Sequence, residues 1–159
     1  MSTIPAKWFV DELLIALEET FEKVYGMYLD KHTSIFETLA EVDANMASQP
    51  MGASCATIAA HVEHMSFYLE TLQKFAAGEI APGTEVDWKH IWNTVSAVTP
   101  EEWEASKAKL RERYQTVRAF VQSQTEWHNA DMVGGAIGIV AHNAYHLGEI
   151  RQALCRLRK

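Results

Sequence analysis

Two histidines, His142 and His146, stand four residues apart in the segment AHNAYHLGEI, residues 141–150. Four residues is just over one helical turn, so both imidazoles leave the same face of a helix. That face also carries Met132, Gly135, Ile139 and Ile150, which makes the pair core-facing. A second apolar stripe, Ile58, His61, Met65, Tyr68, Leu72 and Phe75, brings His61 inward from another segment. Neutral imidazole is the commonest metal ligand, and three nitrogens with an open position form the arrangement of catalytic zinc. Zinc, nickel and iron all accept such a set. The plainer reading is that each ring is a hydrogen-bonded core histidine, and HxxxH alone is weakly specific. Three inward rings sharpen the case, because desolvating all of them without partners is costly.

The pair is not a zincin motif, since the residue after the first histidine is Asn143 rather than glutamate. His64 lies about 300° around the helix from His61, toward the edge of the stripe, which suits a surface or pocket-rim histidine better than a ligand. His32, His90 and His128 fall in loops or near element ends and receive no role. Glu149, one turn beyond His146, reads first as a solvated helix-edge carboxylate and second as a group that orients a ligand or moves a proton. The VGGAIG stretch, residues 133–138, follows no strand and lacks the phosphate-loop lysine, so small-residue helix packing is the better reading. Cys55 and Cys155 form no CxxC pair and are expected to be free thiols. Cys55 precedes His61 by six residues and would point away from it on an ideal helix.

Helical periodicity supplies the elements that position these groups. Val10, Leu14, Leu17, Phe21 and Val24 mark a first helix after Pro5 and before Gly26. A shorter helix carries Ile35, Leu39 and Val42, and MASQPMGASC reads as a loop. The second long helix runs from near Ser54 to about Ala77. A long connection follows, with Trp88 and Trp92 placed to cover one mouth of the fold. The third long helix has Thr99 as N-cap, Pro100 at its first position and Glu102 to complete a capping box. Trp103, Leu110, Tyr114, Val117 and Val121 form its seam. The fourth begins after HNAD and runs to the C-terminus. No strand alternation occurs, so the expected fold is an all-α four-helix bundle, one domain over residues 1–159, with a long crossover between the second and third helices.

Composition sets the outer limits. The chain has 159 residues, 48% hydrophobic and 22% charged, with a net charge of −7. Nothing resembles a Lys/Arg stripe, and an acidic domain repels phosphate backbones, so nucleic acid is not an expected partner. No apolar run approaches a membrane span, and no basic-then-apolar leader opens the chain, so a cytoplasmic location is expected. A homodimer paired through exposed helix faces is the expected assembly.

Three segments carry a family likeness. ATIAAHVEHMSFYLETLQKFAAGE, EVDWKHIW and IVAHNAYHLGEIRQAL resemble the second helix, the tryptophan-bearing connection and the H-x-x-x-H-x-G-Q-I signature of the DinB/YfiT-like superfamily of bacterial four-helix-bundle metalloproteins. The resemblance spans nearly the whole chain and implies that His61, His142 and His146 are the metal ligands. Glu149 departs from the family pattern, which has glutamine there. The resemblance also implies a metal-dependent enzyme that uses a low-molecular-weight thiol, since the superfamily includes such transferases and isomerases. A divalent metal on three neutral nitrogens keeps its charge and would favour a thiolate. It would equally activate water in a metal-dependent hydrolase. A metal-binding or stress-response protein without turnover, and a scaffold with vestigial histidines, stay open beside these. No catalytic side chain is assigned.

Overall fold

The computed structural model describes residues 4–50, 52, 55–81 and 83–158. It is all-helical, with seven helices and no strand among the described residues. Four are long: α1 (Ala6–Phe21), α4 (Ile58–Ala76), α6 (Pro100–Ser123) and α7 (Ala130–Leu157). Three are short: α2 (Ile35–Leu39), α3 (Ala44–Ala47) and α5 (His90–Thr94). No helix among the described residues is long and apolar enough to cross a membrane.

Side-chain caps fix where the long helices start. Thr99 accepts from Glu102 N at 3.2 Å while Glu102 accepts from Thr99 N at 2.8 Å, the expected capping box. Asn129 accepts from Met132 N at 2.9 Å, so α7 starts at Ala130, two residues before the expected start after HNAD. α4 begins later than periodicity predicts, because Thr57 supplies the cap by accepting from Ala60 N at 3.2 Å. Ser54, the expected start, lies outside the described residues.

α1 ends at Phe21, short of the expected Gly26. The cause is Glu19, a fully buried carboxylate that accepts backbone N–H bonds from Tyr25, Met27, Tyr28 and Leu29 at 2.6–2.9 Å. Burial alone would raise its pKa, but the four donors outweigh that and hold it down to about 2. The chain therefore curls over the carboxylate, and Gly26 adopts a φ of 92° in the curl. The expected single short helix is two. Leu39 ends α2, and Asp43 caps α3 by accepting from Met46 N at 2.8 Å.

α4 packs against both α6 and α7, and α1 packs against the same two helices. The seam predicted for α6 is buried throughout: Trp103, Leu110, Tyr114, Val117 and Val121. Phe21 stacks on Tyr114 with ring centroids 4.6 Å apart. The connection from α4 to α6 is pinned to the α3 end by Ser48, which accepts from Val98 N at 3.0 Å. Trp103 Nε1 donates to Val42 O at 2.7 Å, tying α6 to the same region. That path delivers α5, and with it Trp92, to the α4–α7 seam.

Candidate metal centre

α4 and α7 bring four histidines together: His61 and His64 from α4, His142 and His146 from α7. His61 Nδ1 lies 3.0 Å from His146 Nδ1. One nitrogen each of His64, His142 and His146 lies within 4.8 Å of the other two. Ring centroids are 4.5 Å apart for His142 and His146 and 5.1 Å for His64 and His142. His64 and His146 are buried, while His61 and His142 are half-buried.

Aromatic rings wall the group. Trp92 stacks on His64 at 4.3 Å, and Tyr68 stacks on His142 at 3.8 Å. Tyr68 also accounts for one glycine of the VGGAIG stretch. A Cβ on Gly138 would meet Tyr68 Oη at 3.3 Å, so close packing holds there. Gly134 and Gly135 face nothing within 4 Å, and their presence has no such explanation.

Burial and mutual repulsion keep these rings uncharged. Desolvation, reinforced by His142, His61 and His64, carries the His146 pKa down to about 3. Desolvation, with His142 and His61, carries His64 down to about 4. His142 is lowered by burial, and His61 is lowered by burial against an opposing pull from Glu149. At neutral pH each ring therefore has an unprotonated nitrogen, the form that ligates metals. His64 Nδ1 and His142 Nε2 are buried and have no hydrogen-bond partner among the described residues. An orphaned buried polar atom of this kind costs about 1–3 kcal/mol, and a cation would offset that cost. The donor set, neutral imidazole nitrogens converging from two rigid helices, fits a divalent metal.

The cluster opens into a cleft of about 860 Å³ lined by His61, His64, Trp92, Tyr145 and His146 on the inner side. Glu149, Gln152, Ala153, Arg156, Cys55 and Ala56 line the remainder. Two expectations need correction. His64 is not a surface histidine, because α5 lays Trp92 over the edge of α4 that the isolated stripe leaves open. Its i,i+3 spacing from His61, which makes the two neighbours on a helix, was the available signal. Cys55 is also placed differently from the ideal-helix expectation. It precedes the first turn of α4, so helical angles do not govern it, and it lines the same cleft as His61. Cys55 and Cys155 are both free, as expected, and both are exposed.

Compared with protein-family models, curated proteins and solved structures, the chain matches none.

Proposed function

We propose that this chain is a metal-dependent enzyme, a four-helix bundle of α1, α4, α6 and α7 with a long crossover between α4 and α6. It acts on a small thiol or on water beside a histidine-held divalent ion. The DinB/YfiT-like resemblance of residues 141–150 supports the reading. The observation that carries it is the convergence of four uncharged histidines, two of them with orphaned buried nitrogens, of which His61, His64 and His146 line a cleft.

His61, His142 and His146, the trio the resemblance implies, would hold the ion, and His64, whose ring nitrogen converges with those of His142 and His146, would be a further donor. The 3.0 Å between His61 Nδ1 and His146 Nδ1 is close to the roughly 3.3 Å between two nitrogens sharing a tetrahedral zinc at 2.0–2.1 Å. When bound, the ion supplies a positive charge that stabilises a thiolate or hydroxide at neutral pH. The chain's own part is to orient that nucleophile's approach. Trp92 and Tyr68 fix the His64 and His142 planes by stacking, and the cleft lined by Tyr145, Glu149 and Arg156 gives a substrate access to His61, His64 and His146. The open cleft favours turnover over a closed structural site.

Elemental analysis of protein purified without a metal-affinity column tests the reading, followed by a screen of thiol cosubstrates on the metal-loaded chain. Near-stoichiometric zinc, nickel or iron is expected. Protein that stays metal-free after incubation with all three refutes it. A cytoplasmic homodimer remains part of the proposal.

A further inference from the structure

The outer half of the cleft holds two exposed side chains of opposite charge. Glu149 and Arg156 are seven residues apart on α7, so they project within about 20° of one another, separated by about 10.5 Å along the helix. Ala153 lies between them and contributes only a methyl group. Both charged residues line the cleft, and neither forms an ion pair among the described residues. Elsewhere on this surface opposite charges do pair, as in Arg113–Glu70 at 3.3 Å and Lys109–Glu63 at 2.9 Å. Glu149 is the one acidic side chain and Arg156 the one cation among the described residues of the lining. The cleft therefore presents a separated negative and positive charge, in that order, moving outward from the histidines.

A ligand that satisfies both must carry a cation and an anion a short distance apart. In an α-amino acid the ammonium nitrogen and a carboxylate oxygen are about 3 Å apart by standard bond lengths. Two charge-assisted hydrogen bonds of about 2.8 Å bring the span to roughly 8–9 Å, which two flexible side chains rooted about 10.5 Å apart can bracket. Arg156 offers the planar fork that matches a carboxylate, and Gln152 adds an amide to the same wall. A ligand with only an anion would meet Glu149 as a repulsive neighbour in a chain of net charge −7.

We infer that Glu149 and Arg156 form a binding site for a zwitterionic head group, so that the cleft selects a small thiol bearing an α-amino-acid end. This rests on the reading that the histidine cluster receives the thiol. The sulfur would lie toward His61 and His146, the ammonium at Glu149 and the carboxylate at Arg156.

The test is an NMR titration of the metal-loaded full chain with L-cysteine, L-serine, cysteamine and 3-mercaptopropionate, in wild type, Arg156→Met and Glu149→Gln. Metal content is measured for each variant. Arg156→Met should weaken L-cysteine and 3-mercaptopropionate about tenfold and leave cysteamine unchanged. Glu149→Gln should weaken L-cysteine and cysteamine and tighten 3-mercaptopropionate, whose carboxylate no longer meets a like charge. Variants that alter all three thiols alike, or none of them, overturn the inference, as does a wild type that does not bind L-cysteine at millimolar concentration. The thiol reading fails separately. If L-serine binds as tightly as L-cysteine, and both respond to Arg156→Met, the head-group site stands and the histidine cluster does not receive the sulfur.

Discussion

His61 Nδ1 and His146 Nδ1 approach to 3.0 Å across the α4–α7 seam, although 85 residues separate them in the chain. Two nitrogen lone pairs cannot face each other at that distance without a proton or a cation between them. A single proton would leave one ring as donor and the other as acceptor. A metal would take both. Replacing His146 with alanine should lower metal content sharply while leaving helix content largely intact. His61→Ala should do the same, and His64→Ala should retain the stoichiometry with weaker binding. Elemental analysis beside circular dichroism checks all three. If His64→Ala empties the site and His61→Ala does not, the α4 ligand is His64.

Acid should destabilise the metal-free protein through two overlapping contributions. His64 and His146 have folded pKa values of about 4 and about 3, below the ordinary histidine value, so the folded state resists protonation. Their contribution is fully present above about pH 6.5 and is lost as pH falls through these values. Glu19, at about 2, favours folding above its unfolded value near 4.5 and loses that contribution as pH falls toward 2. Urea melts from pH 7 to pH 2 should show both limbs. His146→Asn should flatten the upper limb and Glu19→Gln the lower. Unchanged profiles would contradict the assignments.

Glu19→Ala should cost about 3 kcal/mol, because it orphans four N–H donors that now converge on one buried carboxylate. The loss should concentrate in the curl over residues 25–29, read as faster hydrogen exchange at Tyr25, Met27, Tyr28 and Leu29. Uniformly faster exchange across α1 would point to a general packing role instead.

Tyr114 Oη is buried with no hydrogen-bond partner among the described residues, while its ring stacks on Phe21. Tyr114→Phe should therefore be neutral or slightly stabilising, since it removes an unsatisfied hydroxyl and keeps the ring. Tyr114→Ala should cost about 3–5 kcal/mol. A Tyr114→Phe variant that melts well below wild type would show that the hydroxyl has a partner in solution.

Cys55 and Cys155 are exposed and free, and only Cys55 lines the cleft. The double Cys→Ser variant should keep its metal content and its turnover of an added thiol. Loss of turnover after Cys55→Ser alone, at unchanged metal content, would identify a protein nucleophile.

The sequence by itself determined where the four long helices lie and which face α6 buries. The α6 seam, the Thr99–Glu102 capping box and the inward stripe of α7 are local patterns, set by a period of 3.6 residues and by the few side chains able to cap a helix. It also marked His142 and His146, because i,i+4 spacing on an apolar face is readable without a partner helix. Tertiary structure decided the rest. Glu19 ends α1 five residues before Gly26 through donors that lie up to ten residues downstream, and no local propensity encodes that. His64 is buried because α5 brings Trp92 against α4, a contact spanning 28 residues that depends on the path of the connection. Cys55 reaches the cleft because Thr57 starts α4 after it. The pairing of His61 with His146, and the cleft that Glu149 and Arg156 line, exist only once α4 and α7 are packed together. Hydrogen bonding and side-chain packing between segments far apart in the chain fix the distances that chemistry requires, and those distances are not written in spacing along one helix.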